Sequence, residues 1–73
     1  MMARRRMILR SYNMRYQVIT WTRGEGHDER REFSTLAQAR AAARIYRREC
    51  DGVGIYDFRL GVIRETIGNF RPI

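Results

Sequence analysis

Residues 34–52 read STLAQARAAARIYRRECDG, and this stretch decides the fold. It is the one clear helix of the chain. Ser34 or Thr35 supplies a hydroxyl for the unpaired N–H groups of a first turn, and Thr35 with Gln38 has capping-box spacing. Alanines at 37, 39 and 41–43 favour helix without a side-chain entropy cost. Asp51-Gly52 marks the end, with Gly52 expected in the left-handed conformation that stops a helix. At about 100° per residue, Leu36, Ala39, Ala42, Ala43, Tyr46 and Cys50 share one face. That stripe is small at one end and larger toward Tyr46, so a second layer can approach closely. A larger side chain at Ala43 is expected to overpack it.

Short strands flank the helix. Residues 15–23, RYQVITWTR, are rich in strand formers. Alternation puts Tyr16, Val18 and Thr20 on one face and Gln17, Ile19 and Trp21 on the other. Both faces therefore carry apolar groups, which calls for a bulge or for a second face that is covered or used for contact. Residues 24–28 form the hairpin loop, and residues 29–33, ERREF, return with Phe33 toward the core. After the helix, residues 53–57 make a third strand. Residues 58–61 make a tight turn with Gly61 at its left-handed position. Residues 62–70 make a fourth strand, with Ile63 and Ile67 expected in the core and Gly68 marking a bulge or a close approach. The order ββαββ predicts a single small α+β domain over residues 14–73. It is a four-stranded antiparallel sheet with the helix on one face and the other face open. Residues 1–13, MMARRRMILRSYN, precede it as a basic arm, with a short strand expected at Met7–Leu9.

Composition narrows the function. The chain has 73 residues and a net charge of +7, and all fifteen of its basic residues are arginine. Arginine is always charged, and its planar fork grips phosphate or carboxylate through two bonds. The implied partner is a polyanion: nucleic acid, a nucleoprotein complex or an acidic protein face. One cysteine excludes a disulfide framework and suits a cytoplasmic setting. No apolar run approaches membrane-spanning length, and Met7–Leu9 is too short for a signal-peptide core. With one histidine in a loop and one cysteine on a core face, no triad, metal site or His-based acid–base pair can be built. Asp51 and Asp57 flank the third strand, but two acids make no catalytic constellation. A non-enzymatic binder without cofactor or metal is expected.

The candidate binding residues follow from charge and exposure. Arg40, Arg44 and Arg48 repeat at i, i+4 and i+8, with Arg47 beside them, on a face adjoining the apolar stripe. Within the helix, only Asp51 stands four residues from one of them, Arg47. The ridge is either a solvated face neutralised by acids from neighbouring strands, or a surface that meets phosphate or an acidic partner. Trp21 beside Arg23, together with Tyr16, offers aromatic anchors that stack on a base or seat in an interface. Arg4, Arg5, Arg6 and Arg10 of the arm would add phosphate contacts. An exposed sheet edge, or the open sheet face, is where two copies would pair.

Two resemblances accompany these residues. Residues 15–50 resemble the arm-type DNA-binding domain of phage tyrosine integrases. Phe33, Thr35 and Ala39 match its F-x-T-x-x-x-A pattern at the helix start. This chain departs from it by a second hairpin, by lacking a clear third strand before the helix and by having no catalytic domain. In size, element order and charge, the whole chain is similar to small phage and mobile-element proteins, anti-CRISPR proteins among them. That resemblance implies a compact inhibitor in the cytoplasm of a bacterial host. Such an inhibitor blocks the nucleic-acid-binding surface of a nucleic-acid-handling complex. Direct DNA or RNA binding by the same arginines, or a structural accessory role, are the alternatives.

Overall fold

Tyr16–Thr22, a run of aromatic and β-branched side chains, forms strand β1 in the computed structural model, which describes residues 14–73. Gly26–Phe33 forms β2, Leu36–Tyr46 helix α1, Gly52–Asp57 β3 and Val62–Gly68 β4. The expected arm, with its short strand at Met7–Leu9, lies outside the described residues. The strands form one antiparallel sheet in the order β2-β1-β3-β4, so the first strand of each hairpin is central. The α+β fold with its ββαββ order is as the sequence predicts. β2 starts earlier than expected because His27 and Asp28 pair with Trp21 and Thr20. The partner strand sustains the ladder there, not local propensity.

The helix begins as its sequence prescribes. Thr35 Oγ1 accepts from the Gln38 N–H at 3.2 Å, and Gln38 Oε1 accepts from the Thr35 N–H at 3.3 Å. Ala39 and Ala43 are buried against Tyr16, Val18, Val53 and Ile55. Phe33, Leu36, Ala42, Tyr46 and Cys50 pack around this core. The small residues let α1 sit close over the central strands. The helix end departs from expectation. Arg47–Glu49 tighten into a 3₁₀ turn, and Cys50 is already extended at φ −145°. Gly52 has no positive φ and belongs to β3.

Each edge strand carries a bulge. In β2, Gln17 pairs with Glu32 and Ile19 with Glu29, which leaves both Arg30 and Arg31 opposite Val18. In β4, Ile55 pairs with Glu65 and Tyr56 with Ile63, which leaves Arg64 as the extra residue. The second bulge corrects the expectation that Ile63 and Ile67 share the core. Ile67 stands opposite Val53 on the helix side and is 37% accessible, whereas Ile63 stands opposite Tyr56 on the far face.

The far face is not fully open. β4 ends at Gly68, whose φ of +68° turns the chain out of the sheet. Asn69 then donates its N–H to Asp51 O at 2.8 Å, and residues 69–71 cross the far face as a strap. A Cβ on Gly52 would collide with the backbone of Asn69 and Phe70. A Cβ on Gly54 would lie 2.7 Å from the Phe70 ring. His27 meets Phe70 edge-on, with ring centroids 5.3 Å apart, and donates from Nε2 to Arg71 O at 2.7 Å. Ile19, on that face, is only 5% accessible. This covering resolves the apolar character of both faces of β1.

Candidate binding surface

The arginine ridge divides into residues already engaged and residues left over. Arg40 reaches from α1 across to β4 and forks onto Glu65. Its Nε donates to Oε1 at 2.9 Å and to Oε2 at 3.1 Å, and its terminal NH2 group donates to Oε2. Glu65 stands opposite Ile55, on the helix side. The hydrogen bonds from Arg40 hold the Glu65 carboxyl below its ordinary pKa. Arg40 is therefore an internal strut. Arg47 donates from NH1 to Cys50 O at 2.9 Å and lies against Gly68, so it closes the helix end. Arg44 and Arg48 are exposed and form no hydrogen bond or ion pair with any described residue.

Asp51 gathers the surrounding segments. Its N–H donates to Trp21 O at 3.0 Å, its Oδ2 accepts from the Arg23 N–H at 2.7 Å, and its carbonyl takes the Asn69 N–H. The β1–β2 loop, the helix exit and the strap thus meet at one end of the molecule. They bring Arg23, Arg47, Arg48 and Arg71 to that end with Glu25, Glu49 and Asp51, and Arg44 stands on the last turn of α1 before it, on the side that faces Glu65. The negative end of the α1 dipole favours cations there.

The aromatic candidates separate. Tyr16 is in the core at 6% accessible, with Arg15 over its ring and Arg64 donating to its hydroxyl at 3.4 Å. It presents no face to a partner. Trp21 is half-buried on the far face, and the cation over its ring is Arg71 at 5.5 Å, not its near neighbour Arg23. Arg4, Arg5, Arg6 and Arg10 lie outside the described residues.

Sequence reading missed Asp57, whose side chain has no accessible surface. Arg15 donates Nε to Oδ1 and NH2 to Oδ2, both at 3.0 Å, and Arg64 donates to Oδ2 at 3.4 Å. The N–H groups of Arg59 and Leu60 donate to Oδ1 at 2.9 and 3.2 Å. The Arg15 fork outweighs burial and, with those two N–H groups, lowers the carboxyl pKa from 3.8 to about 2. This is the wrong direction for a general acid and the right one for a permanent structural anion. The available signal was an aspartate at the first position of a turn, where it bonds the backbone N–H groups two and three residues on.

Two further surfaces border the helix. α1 packs on β1, β2 and β3, and between it and β4 lies a cleft of about 230 Å³ floored by Ala43, Val53, Ile55 and Ile67. On its other side Phe33, Ala42, Ile45 and Tyr46 line an apolar groove, with Arg31 over the Phe33 ring at 5.3 Å. The bulges and charges of both edge strands, Arg30 and Arg31 on β2 and Arg64 and Glu65 on β4, disfavour addition of another strand. Among the described residues no group of His, Cys, Asp and Glu is placed to hold a metal ion, and no helix is long and apolar enough to cross a membrane.

No family model, curated protein or solved structure matches this chain.

Proposed function

We propose that the chain is a non-enzymatic binding protein that docks its basic end onto a nucleic-acid-handling complex, as a phage-type inhibitor of the anti-CRISPR kind would. One observation carries this reading. Arg44 on the last turn of α1 and Arg48 in the 3₁₀ turn that follows stand exposed without a partner among the described residues, while their neighbour Arg40 is consumed by Glu65. Unpaired guanidinium forks on a folded frame can grip phosphate or carboxylate through two bonds. Arg23 and Arg47 extend the same surface. The test is capture of partners from a bacterial host lysate by the tagged chain, compared with an Arg44→Glu/Arg48→Glu variant. The chain is expected to retain a nucleic-acid-handling complex and the variant to lose it. Equal capture by both, or capture of no such complex, would overturn the proposal. Arg40→Glu is unsuitable here, because it would place two carboxylates against each other and weaken the fold.

Direct DNA or RNA binding is favoured by a separate observation. Residues 14–73 hold eleven arginines against eight carboxylates, so more than half of the +7 charge resides in the arm. On this reading log K falls with log salt by about 0.9 per duplex phosphate met. A purified chain that shifts neither DNA nor RNA at ~50 mM salt would exclude it.

A further inference from the structure

Adjoining the basic end at Trp21 and Arg71, the far face of the sheet carries aromatic rings from both central strands. Trp21 stands on β1 and Tyr56 on β3. Phe58 follows from the turn after β3 and meets Tyr56 edge-on at 5.2 Å between centroids. Phe70, on the strap, lies over Gly54, between the levels of Tyr56 and Trp21. Phe58, Tyr56, Phe70 and Trp21 therefore form a row along the central strands. All four are half-buried, so each keeps accessible surface although none belongs to the helix-side core. Side chains two residues apart along one strand are about 6.8 Å apart.

Charge is arranged around this row. Arg59 is exposed beside Phe58 at one end and forms no ion pair with a described residue. Arg71 covers Trp21 at the other end. On the β2 side, Glu29 and Glu32 stand opposite Ile19 and Gln17, with Arg30 lining the same hollow, so that flank carries charge of both signs. The β4 flank presents the uncharged Ile63 and Thr66. A polyanion is drawn to both ends of the row.

From these positions we infer that the far sheet face is a stacking platform for single-stranded nucleic acid. Bases lie on the rings over β1 and β3, and phosphates meet Arg59 and Arg71. Unpaired bases offer π-faces to such rings, whereas duplex bases are already stacked within the helix. Trp21 is the only tryptophan of the chain, so its emission reports on this face alone. The test titrates the full chain at ~50 mM salt with oligothymidylate of about 12 nucleotides, and with a duplex of equal length. The single strand is expected to quench Trp21 saturably, with the duplex at least ~10-fold weaker. Phe58→Leu keeps the apolar contact with Tyr56 but removes the ring, and should weaken single-strand binding about 10-fold. Lysate capture depends on Arg44 and Arg48, so a failure here is distinguishable from failure of the docking proposal. Unchanged Trp21 emission, an equal response to duplex, or parental affinity in Phe58→Leu would overturn the inference.

Discussion

A carboxylate with no accessible surface ties together the start of β1, the turn after β3 and the bulge of β4 at Asp57. Its pKa of about 2 lies below the ordinary 3.8, so ionised Asp57 contributes stability in full above about pH 4. That contribution is lost as pH falls through about 2. Thermal melts between pH 5 and 2 should show the midpoint falling across this window. Asp57→Asn should melt lower at neutral pH and lose much of the acid dependence; Glu65, also held low, leaves a residual slope. A variant that keeps the parental slope would place the proton uptake elsewhere. Periodicity did not reveal this residue, because Arg15 lies 42 positions away and a charge alternating into a strand face looks like any solvated one.

At the scale of the element, α1 was the most legible part of the chain. Its cap, its apolar face and the partly buried places of Leu36, Ala42 and Tyr46 all follow from local spacing, whereas Cys50 reaches the core from extended chain beyond the helix. What surrounds it was less legible. Ala43 was expected to resist enlargement, yet it floors the open cleft beside β4, while Ala39 has no such space at 0% accessible. Ala39→Leu should cost about 1–3 kcal/mol through overpacking. Ala43→Leu should cost distinctly less, because the new side chain can enter the cleft. Chemical denaturation of the two variants decides this, and equal losses would show that the cleft is not accessible from position 43. The Arg40–Glu65 strut was unreadable for a related reason: the two residues lie 25 positions apart, and only the packing of α1 beside β4 brings them together.

Over the whole molecule, the strap closes one end of the face that the sequence left open. Deleting residues 70–73 removes Phe70 from Gly54 and Arg71 from Trp21. The expected loss is about 1–2 kcal/mol, since Phe70 is only half-buried. Trp21 emission should shift to the red as water reaches the ring. A truncated chain with parental stability and emission would mean that the strap lies on the sheet without contributing to it. The same strap explains Gly52, assigned from sequence to the helix end. The position requires glycine because another backbone segment crosses it.

The sequence by itself determined the order of elements, the helix cap, the buried face of α1 and the left-handed turn at Gly61 (φ +72°). Each of these depends on neighbours within a few residues, where spacing and propensity act directly. Only the tertiary structure decided which arginines are free, which face each isoleucine of β4 takes, and how Asp51 and Asp57 join distant segments. Those outcomes depend on bulges and on partners far along the chain, which leave no period in the sequence. The ridge seen as four equivalent arginines thereby resolved into a strut at Arg40, a cap at Arg47 and two forks, at Arg44 and Arg48, that have no partner among the described residues.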